Sequence, residues 1–301
     1  MSKYTLDKPV LFTSEKDLYR AENLKTVYDA FDGNKIFIKG AMHDSISGDY
    51  DVMVTDTLPT HAPKKCICIN HGIAGAKKIG FDEDGTNYTD PSLLTYMTTT
   101  STDMIPVAAK QCGIPESKVV PTGLPRTDTY INTSNNKTNT HLYAPTFRYY
   151  KDWYPNFTKM AEFLPAGHRM VIKTHIFNGD IFRRQWNNLP VASCNEPTTP
   201  YLINADTVVT DYSSIMFDAM VMRKPVILFA KDKDRYLSER GMYMEYPKMY
   251  SPYYCDDERM LGELIAEAKW NDQLEELRTL YAGACDGHAT ERVIDLIRSL
   301  L

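Results

Sequence analysis

The sequence predicts an α/β protein with mostly parallel sheets, laid out as two successive halves. Three observations predict it. Short apolar runs rich in β-branched residues alternate with longer stretches of helical period, the pattern of strands joined by crossover helices. Between Tyr130 and Thr140 the chain becomes Ile-Asn-Thr-Ser-Asn-Asn-Lys-Thr-Asn, with almost nothing to bury and many turn formers, which marks a linker. The alternation then restarts at His141. The expected domains are 1–134 and 135–301, with the last helix free to pack back on the first. Open parallel sheets bind ligands outside the carboxyl ends of their strands, so a cleft between the halves is the expected place for a site.

In the first half, Val10 to Thr13 reads as a strand and Lys16 to Phe31 as a helix with Leu18, Ala21, Leu24 and Tyr28 on one face. Lys35 to Lys39, Tyr50 to Thr55, Lys65 to Asn70 and Tyr96 to Ser101 continue the strands. Asp103 is placed to cap a helix that ends near Gly113, and Lys118 to Pro121 leads into Thr122-Gly123. In the second half, His141 to Thr146, Arg169 to Thr174, Thr207 to Thr210 and Pro225 to Ala230 read as strands. Helices are expected at Asn156 to Phe163, Ser214 to Met222, Arg259 to Lys269, Asp272 to Tyr281 and Thr290 to Leu301.

The 301 residues suffice for one large domain or two linked ones. With 43% hydrophobic and 24% charged residues and a net charge of -5, the composition is that of an ordinary globular protein and argues against nucleic acid as a partner. The six cysteines form no CxxC pair, so reduced intracellular thiols are expected, with Cys66 and Cys68 packed inside a strand. The start Met1-Ser2-Lys3-Tyr4 lacks the apolar stretch of a signal peptide, and no run approaches the roughly 18 apolar residues of a membrane span. A cytoplasmic protein is expected, with peripheral contact to the inner face of the membrane kept open.

The run Thr210-Asp211-Tyr212-Ser213-Ser214 leaves a buried strand and opens a helix that is apolar almost all round. The first four amides of a helix lack intrahelical partners and carry about half a positive charge, and Ser213 and Ser214 add hydroxyl donors there. The segment reads as a cradle for a diphosphate. Asp218, four residues after Ser214 and on the same helical face, is positioned to accept from ribose or polyol hydroxyls. Asp211 would repel a phosphate and is expected to bond the backbone of the turn. Taken alone, a serine at a helix start reads as a cap.

His71-Gly72 follows the strand from Lys65 to Asn70, and His175 ends the strand from Met170 to Thr174, equivalent positions in the two halves. A histidine near neutrality at pH 7 can take a proton from an attacking hydroxyl, and either can equally be a structural loop residue. Lys77 and Lys78 follow His71 and could offset phosphoryl charge. Arg126, in Thr122-Gly123-Leu124-Pro125-Arg126-Thr127-Asp128, and Arg148, in Tyr143-Ala144-Pro145-Thr146-Phe147-Arg148, either grip phosphate bidentately or pair with a nearby aspartate. No HxxxH or His/Asp cluster suggests a metal, and no cofactor is expected.

In this order, and with Ala205 to Asp218, Lys224-Pro225-Val226-Ile227, Asp234-Arg235-Tyr236, Arg240-Gly241-Met242-Tyr243 and Asp286-Gly287-His288-Ala289-Thr290-Glu291-Arg292, the chain resembles the CDP-glycerol glycerophosphotransferase family of teichoic acid and capsule synthesis. The resemblance implies a GT-B-like fold, two Rossmann-like domains with parallel sheets facing across a cleft, the first on the acceptor side and the second binding the donor. It implies transfer of glycerol phosphate or ribitol phosphate from CDP-glycerol or CDP-ribitol to a hydroxyl acceptor, a polyol phosphate or a lipid-linked saccharide, with release of CMP. By position in the resemblance His71 becomes the general base and His175, the second catalytic residue, holds the diphosphate with Ser213 and Ser214 and stabilises the leaving CMP; beside them Arg148 and Lys78 are expected to bind donor phosphate, and Asp218, Asp211 and Arg126 to contact nucleotide or polyol. The chain departs from the family's usual His-Gly-Thr-Pro at His71-Gly72-Ile73-Ala74, on the acceptor side. Two other readings compete: a glycosyltransferase or nucleotide-sugar epimerase of the same architecture using another nucleotide, and a donor-binding module without catalysis.

Overall fold

The computed structural model describes residues 8–40, 49–60, 64–69, 72, 90–133, 137–148, 150, 155–175, 191–192 and 196–301. Its strands are β1 (Val10–Ser14), β2 (Lys35–Lys39), β3 (Val52–Thr55), β4 (Lys65–Cys68), β5 (Tyr96–Thr99), β6 (Val119–Pro121), β7 (Thr140–Tyr143), β8 (Arg169–Lys173), β9 (Val191–Ala192), β10 (Thr207–Thr210), β11 (Val226–Phe229) and β12 (Tyr253–Cys255). The helices are α1 (Glu22–Ala30), α2 (Ile105–Cys112), α3 (Phe157–Glu162), α4 (Thr199–Asn204), α5 (Ile215–Val221), α6 (Lys233–Glu239), α7 (Glu258–Glu267), α8 (Asp272–Ala282) and α9 (Ala289–Arg298). They form two compact units. The first combines the described residues up to Ile131 with Leu280–Leu301, and the second is built on Asn132–Thr279.

In the first unit the strands pair in the order β2-β1-β3-β4-β5-β6, all parallel. Because side chains alternate along a strand, each strand feeds both faces. Val10, Phe12, Val52, Val54, Ile67 and Ile69 meet Leu24 and Val27 of α1 and Val293 and Ile297 of α9. Leu11, Met53, Cys66 and Cys68 meet Ala108, Ala109 and Cys112 of α2. Cys66 and Cys68 are therefore core residues, and burial pushes the Cys66 thiol up to about 12, which removes thiolate character at neutral pH.

The chain's last segment is clasped to this unit by two of the motifs noted above. The Asp128 carboxylate accepts from the amides of Ala289 (3.2 Å) and Thr290 (2.7 Å), capping α9. Arg292 donates to the carbonyls of Thr122 and Ala284 and pairs with Asp286. Gly123 sits at φ +86, and a Cβ there would fall 2.3 Å from the Ala284 carbonyl oxygen, so only glycine fits.

In the second unit the order is β12-β11-β10-β7-β8-β9, again parallel. One face packs Tyr143, Met170, Ile172, Val209, Ile227 and Phe229 against α3 and α7. The chain runs outward from β7 to β8 and β9, then returns to lay β10 on the other flank of β7. The connections therefore diverge between β7 and β10, a switch point of the kind at whose carboxyl ends such sheets usually bind their ligands.

Three expectations change. The helix expected over Lys16 to Phe31 is a 3-10 turn, Leu18–Arg20, followed by α1, because the buried Ala21 leaves helical geometry at φ -90, ψ 65. The helix ending at Gly113 is introduced not by an Asp103 cap but by Ser101, whose hydroxyl accepts from the Met104 amide (3.2 Å). Four short elements, β9, β12, α4 and α6, join those expected. A three-residue strand or a helix as charged as Lys233–Glu239 carries no readable apolar period.

Candidate active site

The site is built on the carboxyl edge of the second sheet. All four residues of β10 are buried and deliver Asp211, itself fully buried, to the sheet edge. One Asp211 oxygen accepts from the amides of Tyr212 (2.6 Å) and Thr146 (2.8 Å), joining the turn after β10 to the segment after β7. Its other oxygen lies 2.8 Å from Arg148 Nη2. Arg148 also donates Nε to Asp232 Oδ2 (2.6 Å), Nη2 to Asp232 Oδ1 (3.1 Å) and Nη1 to the Thr146 carbonyl (2.7 Å). Its guanidinium stands about 5 Å from the ring centroids of Tyr212 and Tyr236, which stack on each other. The hydroxyls of Tyr150 and Tyr212 donate to Asp232.

The electrostatics agree with this geometry. Burial alone would lower the Arg148 pKa, but Asp211 and Asp232 outweigh it and hold the guanidinium more firmly charged. Burial alone would raise Asp232, yet its bonds to Arg148 carry it below the ordinary carboxylate value. Arg148, expected to bind phosphate, and Asp211, expected to contact nucleotide or polyol, are thus committed to one another. A phosphate at Arg148 would have to displace carboxylates already held in bidentate and ion-pair geometry.

This cluster fixes the turn that presents Ser213 and Ser214, both half-buried. A capping serine has extended backbone and bonds an amide of the first turn. Ser214 has φ -62, ψ -9, already helical, and its hydroxyl makes no capping bond. Ser213 Oγ approaches the Ile215 amide only at 3.5 Å. The amides of Met216 and Phe217, expected to point at a ligand, turn back to the carbonyls of Ser213 (3.2 Å) and Ser214 (3.0 Å). The turn therefore leaves fewer first-turn amides for an anion than the sequence predicts. Asp218 lies one turn further along α5 and is 5% exposed.

His175 leaves the end of β8, on the other side of β7, and its ring packs 4.8 Å from that of Phe147, which leaves β7. Three adjacent strand ends thus carry Ser213 and Ser214, Thr146 and Phe147, and His175 along one edge. Arg126 belongs to the first unit, in the 3-10 turn Pro125–Thr129, where its amide donates to Asn23 Oδ1 (3.0 Å). His71 and Lys78 lie outside the described residues. Sequence reasoning gave no site role to Asp232 or Tyr236, in the charged stretch after β11, or to Tyr150, two residues after Arg148. Lys224 of the Lys-Pro motif is buried and donates to the carbonyls of Ile203 (2.8 Å) and Ala205, closing the end of α4.

Comparison with known proteins agrees with this architecture. The family model for CDP-glycerol:poly(glycerophosphate) glycerophosphotransferase matches residues 44–299. The teichoic acid glycerol-phosphate primase of Bacillus subtilis (strain 168) is 25% identical over 275 residues, 83% of this chain and 72% of that protein. The ribitol-phosphate polymerase TarK of Staphylococcus aureus (strain NCTC 8325 / PS 47) is 25% identical over 78% of this chain, which spans 57% of its length. Among solved structures, the wall teichoic acid polymerase TagF superposes with a TM-score of 0.76 at 17% identity, over 97% of this chain and 88% of that one, giving the GT-B-like class. The chain belongs to the CDP-glycerol:poly(glycerophosphate) glycerophosphotransferase family.

Proposed function

We propose that this protein transfers glycerol phosphate or ribitol phosphate from the corresponding CDP-polyol to a hydroxyl acceptor, releasing CMP. The observation that carries the reading is the Ser213–Ser214 turn at the switch point of the second sheet, where the Ser214 hydroxyl makes no capping bond and the Ser213 hydroxyl, accepting from the Ile215 amide at 3.5 Å, keeps its proton to donate. They are suited to donate to a diphosphate, with His175 two strands along the same carboxyl edge, beyond β7. Asp218 is assigned to the polyol or ribose hydroxyls, and Lys78 to phosphoryl charge. His71 takes the proton of the acceptor hydroxyl, whose oxygen forms a new bond to the phosphorus bearing the polyol. The bridging P–O bond breaks, and CMP leaves with the electron pair.

The acceptor is assigned to the polyol phosphates or lipid-linked saccharides, which would bring the protein to the inner membrane surface. Among the described residues no helix is long and apolar enough to cross a membrane. The test is CMP release from CDP-glycerol and CDP-ribitol with a glycerophosphate-type acceptor. Turnover abolished in His71→Ala is the expected result. Absence of CMP with both donors, or preference for UDP-sugars, would overturn the reading.

A further inference from the structure

Most buried threonines of the second sheet use their hydroxyls, although among the described residues Thr98 and Thr99 of the first sheet and Tyr143 of the second also keep a buried hydroxyl without a hydrogen-bond partner. Thr210 on β10 donates to the Ala144 carbonyl (2.7 Å), and Thr140 at the start of β7 accepts from Arg169 Nε (2.6 Å). Thr146 and Thr174 differ. Each is 3% exposed, and the side-chain oxygen of each is shut off from solvent and has no hydrogen-bond partner. A buried hydroxyl with no partner is destabilising, and native structures keep few of them without a reason.

Their position supplies the reason. Thr146 follows β7, which flanks the switch point, and Thr174 follows β8, the next strand along the same carboxyl edge. Thr146 is held at both backbone groups, its amide donating to Asp211 and its carbonyl accepting from Arg148, so that only the hydroxyl is uncommitted. Thr174 directly precedes His175. We propose that the hydroxyls of Thr146 and Thr174 are ligands of the donor diphosphate, extending the row begun by Ser213 and Ser214 across three neighbouring strand ends. This rests on the reading of the second unit as the donor-binding one.

The proposal predicts opposite effects on folding and on binding. Thr146→Val and Thr174→Val keep the shape of the side chain and remove a hydroxyl that the ligand-free protein does not use. Each variant is expected to unfold at the same temperature as the parent or higher. Each is expected to bind CDP about tenfold or more weakly in calorimetric titration, the loss of a hydrogen bond to a charged group. Thr146→Ser and Thr146→Ala serve as a second pair, since both lack the methyl and differ by the hydroxyl alone. Ser is expected to stay close to the parent's affinity and Ala to fall with Val. Equal CDP affinity in parent and both valine variants, or in the Ser and Ala variants, would overturn the proposal while leaving the donor reading intact. A parent that binds neither CDP nor CDP-glycerol would overturn that reading and the proposal with it.

Discussion

Arg148 Nη2 stands 2.8 Å from Asp211 Oδ2, with 2% and 0% of the respective side chains exposed. Removing one partner of a buried pair leaves the other charged and desolvated, which typically costs about 3–5 kcal/mol. Arg148→Met strands both Asp211 and Asp232, so it is expected to lose stability in that range, read by urea unfolding. Arg148→Lys should recover only part of the loss, because an ammonium cannot span two carboxylates and face the Tyr212 and Tyr236 rings as a planar fork does. A methionine variant as stable as the parent would contradict the buried-pair account.

Ser214 separates binding from folding. A capping serine replaced by alanine costs about 1 kcal/mol, but the Ser214 hydroxyl caps nothing. Ser214→Ala is therefore expected to unfold within about 0.5 kcal/mol of the parent, as substitutions away from structural contacts do. The same variant is expected to bind CMP and CDP more weakly. Unchanged nucleotide affinity would remove Ser214 from the donor site.

Acid stability carries a signature of His141. It is buried at the start of β7, with Nε2 2.9 Å from His168 Nδ1 and the two rings stacked. Burial, and then the charge of His168, lowers its pKa from 6.5 to about 4, while Asp206 opposes the shift. Between those values the unfolded chain binds the extra proton and the folded one does not. Stability present above pH 6.5 is thus lost as the pH falls toward 4, and this contribution levels off below, amounting to about 3 kcal/mol at most. His141→Gln is expected to flatten that limb of the stability curve measured by urea unfolding. An unchanged slope would mean that His141 titrates normally in the fold.

Much of the fold was legible because buried parallel strands write themselves as β-branched runs between helical stretches. The turn at Asp211 to Ser214 was readable for the same reason, since a buried strand followed by a buried helix exposes only the joint. What the spacing could not convey was partnership. Arg148 and Asp232 are 84 residues apart, and nothing local distinguishes a guanidinium that grips phosphate from one that grips a carboxylate. Asp128 and the amides of Ala289 and Thr290 are likewise joined across the chain, so the Thr122–Asp128 segment, which reads equally as an anion site or a turn, and the closing motif hold each other. The orphaned hydroxyls of Thr146 and Thr174 are visible only once burial is known.

The clasp formed by those two motifs makes a graded prediction. Asp128 caps α9, and its loss in Asp128→Ala should cost about 1 kcal/mol, within the 0.5–2 range for such caps. Asp128→Asn keeps an acceptor and should cost less. Gly123→Ala faces two penalties at once, a left-handed backbone at φ +86 and a Cβ 2.3 Å from the Ala284 carbonyl oxygen. Strain at such positions alone is of order 1–3 kcal/mol, and the overlap with backbone cannot be relieved by a side-chain rotation. The expected order of urea midpoints is therefore parent, Asp128→Asn, Asp128→Ala, then Gly123→Ala. A Gly123→Ala variant as stable as Asp128→Ala would mean that the chain end does not seat closely on the Thr122–Leu124 turn, and Arg292, bonded to the carbonyls of Thr122 and Ala284, would then lose its place as the lock between them.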